Sequence, residues 1–322
     1  MKFKLIFLNL LRFSSVLFLV TFGITLLVRL LPGDPVSDLL PFGNDADRAK
    51  LSEELGLEMN VVEYYFRWAW DFVRGDFGTY YASTGDGGGA DVSAMLAVAL
   101  PRSLLLMLYV IILSLLVSIP LGLLMAYRAQ TRTDNILSNI LFTLYSIPNF
   151  ALGLGLAYVV GVKFDLLPVI GYIPISEGFG KHLKSLLLPT ICLSVGIIAL
   201  FSRLLRSDLI ATLREDFVTM AASKGLSNSW ILWRHVLRPS SSTLFTAAAL
   251  QMGGLIGGSV IIETVFALNG LGMLLSASIA TRQYLAIQSL VALIAVAYLV
   301  FNLIVDIFYS VVDPRVASHR GA

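Results

Sequence analysis

Charge is what this chain has least of. Lys, Arg, Asp and Glu make up 14% of its 322 residues, against about 25% in an average soluble domain. The formal net charge of +2 is too small to suggest a nucleic-acid partner. A single cysteine, Cys192, cannot close an intrachain disulfide, so it says nothing about redox compartment. The histidines His182, His235 and His319 are scattered, without metal-ligand spacing. Neither a metal site nor a bound cofactor is expected. Catalytic motifs are scarce too. EGFGKH (177–182) lacks the glycine and the Ser/Thr of a phosphate loop. GDGGG (85–89) follows no strand and opens no helix. GGSVI (257–261) lacks the second glycine of a serine-hydrolase elbow. No nucleophile–base set emerges, so no catalytic residue is named.

Apolar runs fill the space left by charge, at 57% hydrophobic residues. Runs of about 18 or more read as membrane spans. Six fit, near Leu8–Leu31, Ser103–Tyr127, Ile136–Gly161, Leu186–Leu204, Leu244–Ile262 and Leu285–Val312. Pro120, Pro148 and Pro189 lie in or beside them, which membrane helices tolerate. The first run follows Lys2 and Lys4 and ends in LLPGDP. It is too long for a signal-peptide core and lacks a cleavage site, so it reads as an uncleaved span. The fold class expected is an all-α, polytopic membrane protein with six transmembrane helices.

Basic residues flank the spans unevenly. Lys2, Lys4, Arg128, Arg132, Arg203, Arg206, Arg214, Lys224, Arg234, Arg238, Arg315 and Arg320 fall on one side if both termini are cytoplasmic. Lys163, Lys181 and Lys184 dissent. The loop from Pro32 to Leu100 is then external and mostly acidic. Asn44 or Asp45 can cap a short helix stopping at Gly56, and an aromatic helix follows near Val61–Arg74. That helix fits the headgroup layer, or a docking surface for an external partner, or both. GDGGGAD (85–91) reads as a flexible linker. The expected division is a first helix (1–31), an external insertion (32–94), a five-helix core (95–312) that includes a cytoplasmic loop at 203–239, and a cytoplasmic tail (313–322).

Charges inside spans are few. Arg12 and Arg29 can snorkel to the interfaces, and Asp306 has two readings, a structural hydrogen bond or a substrate contact. No buried charge relay for an ion-driven pump is visible. MGGLIGGSV (252–260) pairs Gly253 with Gly257 and Gly254 with Gly258 at small-xxx-small spacing. The stripe suits close packing within the chain, or contact with a partner membrane subunit along a pathway. The stretch DFVTMAASKGLSNSWILWRHVLRP (216–239) is polar and helical on either side of Gly225. Asp216 can cap its first helix, Thr219 and Lys224 face water, and Met220, Ala221 and Ala222 offer a small apolar face. Gly225 suits the left-handed end, and Trp230–Leu237 returns the chain to the bilayer. A short helical hairpin of this kind can receive force from a soluble motor. It can also be a plain connection.

These residues carry a family signature. DFVTMAASKGLS…HVLRP resembles the coupling loop of permeases of binding-protein-dependent ABC importers, and RLLPGDP (29–35), RGDFG (74–78), ETVFALNGLGMLL (263–275) with TRQY, and DPR (313–315) resemble other elements of the same family. The likeness covers almost the whole chain. It points to the B-type permease subunits of dipeptide, oligopeptide and nickel importers. Thr219 stands where the general loop motif of the family has glutamate, Gln283 where an aspartate is common and Pro239 where asparagine is common. The resemblance implies a type I importer permease fold in a bacterial plasma membrane and a homologous C-type permease subunit. It also implies two cytoplasmic ATPases that use ATP and Mg, and an external substrate-binding protein. Asp216, Thr219, Met220, Ala221, Ala222, Lys224, Gly225 and Leu226 would couple to an ATPase. The cargo would be di- or oligopeptides, with nickel chelates or another small solute as the alternative. A six-helix secondary transporter or channel and a membrane-bound enzyme are the remaining competitors.

Overall fold

A computed structural model describes residues 2–30, 34–40, 44–81 and 89–312, with side chains from 11 to 304. The DPR tail, residues 85–88 of the expected linker, and the side chain of Asp306 lie outside the described residues. In chain order the helices are α1 (Lys2–Leu30), α2 (Pro35–Leu39), α3 (Asp45–Glu54) and α4 (Val61–Val73). A short hairpin, β1 (Thr79–Tyr81) and β2 (Gly89–Asp91), leads into α5 (Val92–Tyr127). Then come α6 (Arg132–Ser146), α7 (Asn149–Leu156) with a π-helical continuation (Ala157–Lys163), and α8 (Phe179–Thr212). The rest are α9 (Asp216–Ser223), α10 (Asn228–Trp230) with a π segment (Ile231–Val236), α11 (Leu237–Gly258), α12 (Val260–Val265), α13 (Leu271–Ala280) and α14 (Tyr284–Val312). By contacts the chain forms two compact units: 1–103 with 269–300, and 104–268 with 301–322.

Among the described residues, α1, α5, α8 and α14 are long and apolar enough to span a bilayer. Helices α6 and α7 pass that test only as a pair, and the pair is bent by 94°. The break comes from Pro148, which holds Ile147 in an extended conformation (ψ 124°) and starts α7 at Asn149. The straight third span expected over Ile136–Gly161 is therefore two pieces. Helix α11 has 22 residues, length enough for about 33 Å. Its Ser240, Ser241, Ser242, Thr243 and Gln251 make it less apolar than the others, so length and apolarity alone support four or five spans rather than six.

The first unit is tied by side chains of α1, α4 and α14. Thr21 and Tyr65 share a 2.8 Å hydrogen bond, Gln288 donates to Thr25 Oγ1 (2.8 Å), and Tyr64 donates to Gln288 Oε1 (3.1 Å). Tyr64, Tyr65, Trp68 and Ala292 bury together. Arg29 does more than snorkel. Its guanidinium donates to the carbonyls of Gly56 (2.5 Å) and Met59 (2.8 Å) and lies over the Tyr64 ring. Asn44 caps α3 through Asp47 N–H (2.8 Å), and Gly56, at φ +57°, ends the turn that follows. A Cβ there would come within 2.6 Å of the Tyr64 ring.

The part of the expected linker at 89–91 is instead a strand. Thr79–Tyr81 pairs antiparallel with it, and Gly89 allows the approach, since a Cβ would meet Thr79 Cγ2 at 2.1 Å. Gln283 explains one departure from the family pattern. Its carboxamide accepts from Tyr81 N–H (2.8 Å) and donates to Tyr81 C=O (2.8 Å). An ionised aspartate could only accept. In the second unit α8 is the axis, with α6, α7 and α11 packed along it. Cys192, Phe201, Leu205 and Leu209 on α8 are fully buried.

Candidate functional site

The loop between α8 and α11 is compact because its turns close on short backbone hydrogen bonds. Helix α8 ends at Thr212, and the Glu215 amide bonds back to the Thr212 carbonyl (3.1 Å). Glu215 then occupies the N-cap of α9 without a side-chain bond. Asp216 is thus the first helical residue, not the cap expected, and its carboxylate favours the positive end of the helix by position alone. At the far end Gly225 N–H bonds to Ala222 C=O (2.9 Å) and Leu226 N–H to Ala221 C=O (3.4 Å). That pair is a Schellman motif. Gly225 takes the left-handed angle it needs (φ +79°), and a Cβ there would meet nothing within 4 Å. Ser227 then caps α10, accepting from Trp230 N–H (3.4 Å).

The loop is also closed at its base. The Ser240 hydroxyl lies 2.8 Å from Thr212 Oγ1 and 2.9 Å from the Val236 carbonyl. Ile231, Leu232 and Val236 are buried beneath it. Nearly two turns back along α8, Arg206 grips Asp134 of α6 with two parallel bonds of 2.7 and 2.6 Å. Asp134 also accepts from Gln130 N–H (2.9 Å) and is buried. The feet of α6, α8 and α11 are therefore held to one another.

Of the residues named from sequence, Asp216, Thr219, Met220, Ala222, Lys224, Gly225 and Leu226 are exposed. Ala221 is not. It is buried, because it follows Met220 by about 100° on the helix and turns in toward the chain. The small face expected at Met220–Ala221–Ala222 is thus corrected to a larger one. Phe217 and Met220, one turn apart, stand out from α9, with Met220 60% exposed. Trp230 and Trp233 stand out from the returning segment. Sequence reasoning missed Phe217 as a surface residue, although its spacing to Met220 was there to read.

A second feature lies within the same unit. A cavity of about 390 Å³ is lined by Tyr145, Pro148 and Asn149 at the bend, Gly196 and Ile197 on α8, and Gln251, Gly254 and Gly258 on α11, with no charged residue on its wall. The glycine stripe divides. Gly253 is buried, whereas Gly254, Gly257 and Gly258 are exposed, and a Cβ on any of these three would meet nothing within 4 Å. They do not pack against this chain. What they leave bare is backbone, beside the carboxamides of Asn149 and Gln251. Behind the cavity Glu263 is fully buried and accepts from Ser259 (3.0 Å).

Known proteins share this architecture. The family profile described as "Binding-protein-dependent transport system inner membrane component" matches residues 118–318. A probable peptide ABC transporter permease protein, y4tP of Sinorhizobium fredii, is 34% identical over 94% of this chain and 95% of its own length. The oligopeptide transport system permease protein AppB of Bacillus subtilis is 35% identical over 91% and 94%. The glutathione transport system permease protein GsiC of Salmonella paratyphi A is 30% identical over 96% and 97%. Among solved structures, an inward-facing MetNI methionine ABC transporter superposes with a TM-score of 0.57 at 16% identity, covering 68% of this chain and 97% of that one. At that identity the match speaks for the fold.

Proposed function

Because the chain belongs to the family of binding-protein-dependent transport system inner membrane components, we propose that it is one of two related permease subunits of an ATP-driven peptide importer. In this reading it forms half of the passage and receives force through α9. The observation that carries the proposal is the loop at 213–239. It is closed by a Schellman turn at the C-terminal end of α9, tied at its base through Ser240 and Thr212, and presents Phe217 and Met220 outward. A plain connection needs none of these. A stiff knob with an apolar tip suits a groove on a cytoplasmic ATPase, which would supply ATP hydrolysis. An external binding protein would deliver the cargo. The uneven basic flanks support an orientation with the loop and both termini on the cytoplasmic side of a bacterial inner membrane.

Peptides fit the cavity's chemistry. A fixed charge in a low-dielectric passage would bind cargo of one sign and repel the other. The wall of this cavity offers backbone, carboxamides and a phenol, which match the amide bonds common to all peptides and discriminate little among their side chains. The names of the relatives point the same way.

The test is ATPase rate and peptide uptake in reconstituted vesicles, with and without binding protein. Phe217→Asp and Met220→Asp change the exposed tip without touching the Schellman turn. Both should leave insertion intact and reduce stimulated hydrolysis and uptake together. Full stimulation and full uptake in both variants would sink the coupling role.

A further inference from the structure

Helix α4 has three faces where an ordinary amphipathic helix has two. At about 100° per residue, Tyr64, Tyr65, Trp68 and Phe72 share one sector, which packs on Phe22 and Ala292. Glu63, Arg67, Asp71 and Arg74 fall in a second sector of about 80°. Arg67 and Asp71 border an open cavity of about 280 Å³ with Glu54, Asp76 and Thr79, so that side is wet. Val62, Phe66, Trp70 and Val73 fill the third sector, again about 80° wide. It carries no charge; the Arg74 guanidinium lies over Trp70 at one end, while Phe66 is 62% and Val73 78% exposed.

A bare apolar sector beside a wet one calls for a second apolar medium. The structure indicates which. The Phe66 ring lies 5.5 Å from Tyr65, and Tyr65 lies 5.4 Å from Phe18 of α1. Phe18 belongs in turn to the exposed apolar surface of α1, with Leu11, Leu19, Leu27 and Leu30. The third sector of α4 therefore lies two ring contacts, through the buried Tyr65, from the flank of a helix apolar enough to cross a bilayer over Leu11–Leu30. Tyr65 meets α1 at Phe18, Thr21 and Phe22, some eight to twelve residues from Leu30. That is about 12–18 Å along the axis, well inside a hydrocarbon layer of about 30 Å. A phenol at that depth needs a partner, and Thr21 supplies it. At the charged edge of the bare sector, the Arg74 guanidinium stacks over Trp70 at 4.6 Å, a pairing suited to headgroup level.

We infer that the Val62–Phe66–Trp70–Val73 stripe is bathed in phospholipid acyl chains of the leaflet at the Leu30 end of α1. Helix α4 is a boundary helix, with protein on one side, lipid on the second and water on the third. The lipid contact rests on α1 spanning the bilayer. Only the identity of the leaflet, the outer one, rests on the importer reading.

The experiment uses nitroxide labels at Phe66→Cys, Val73→Cys and, on the wet sector, Arg67→Cys and Glu63→Cys, in the assembled transporter reconstituted into phosphatidylcholine vesicles. The native Cys192 is fully buried and stays silent. Collision rates with oxygen and with a water-soluble nickel chelate report the medium. Labels at 66 and 73 should meet oxygen several-fold more than nickel, and those at 67 and 63 should reverse the order. If 66 and 73 behave like 67, the stripe faces water and the inference falls. If they are immobile and closed to both reagents, a protein covers the stripe and the inference also falls. Labelling Arg67→Cys on intact cells with an impermeant maleimide reports the side separately. Failure there overturns the orientation and leaves the lipid contact standing.

Discussion

Gly225 offers a clean separation of backbone strain from crowding. Its φ is +79°, and a Cβ would meet nothing within 4 Å, so any substitution acts through torsion alone. A non-glycine residue in the left-handed region costs about 1–2 kcal/mol, and a β-branched one more. Asparagine tolerates the region better than alanine. Helix α9 has 8 residues, too few to be stable by itself. It is held in part by the two bonds that Gly225 N–H and Leu226 N–H make to Ala222 and Ala221. A loss of 1–2 kcal/mol should raise the population of the frayed end by roughly 5- to 30-fold. The order expected is Gly, then Asn, Ala and Val. Hydrogen exchange at the amides of 225 and 226 should accelerate in that order, and stimulated ATPase activity and uptake should fall in the same order. If the valine variant exchanged and transported like the parent, the Schellman turn would not be what sets α9. The argument from its geometry would then fail.

Three further outcomes follow from the second unit. Asp134→Asn leaves Arg206, which is only partly exposed (28% of its side chain), without its bidentate partner. After discounting for screening at the open end, the loss should be about 1–3 kcal/mol, read as a lower Tm in detergent, and Arg206→Lys should restore less than a planar fork provides. Gly161→Ala puts a Cβ 2.0 Å from Val169 Cγ2 and should cost about 1–3 kcal/mol by overpacking, checked by thermal unfolding. At Gly254 a Cβ would meet nothing within 4 Å and the residue borders the open cavity, so Gly254→Leu has room to enter it and the Tm of the isolated subunit should hold. Uptake or pairing with a partner subunit should drop, and an unchanged complex with unchanged uptake would assign that glycine to lipid.

Much of the architecture was legible because it is written locally. The α3 cap at Asn44, the stop at Gly56, the aromatic α4 and the Gly225 turn each rest on a few neighbouring residues, and each is where the sequence puts it. What escaped needs distant or directional information. The bend at Pro148 lies in a run apolar on all sides, where periodicity gives no warning and membrane helices often absorb proline. Ala221 and Ala222 have the same chemistry and differ only in which way the helix turns them. Asp134 and Arg206 are 72 positions apart, and nothing local pairs them. Gly89 looked like linker because its reason for being glycine is Thr79, on the other strand.

The Ser240–Thr212 contact has a consequence for how such proteins diversify. A loop whose two feet are joined, with its turns closed from within, carries its own shape. Residues 212–240, which include both partners of that contact, are therefore a transplantable part. Exchanged whole between related subunits, the segment should fold at its new site and bring its partner preference along, while the membrane helices keep theirs. Under the proposed coupling role, changes at Phe217, Met220 and their neighbours would readdress a subunit to a different motor without reopening the problem of what passes through.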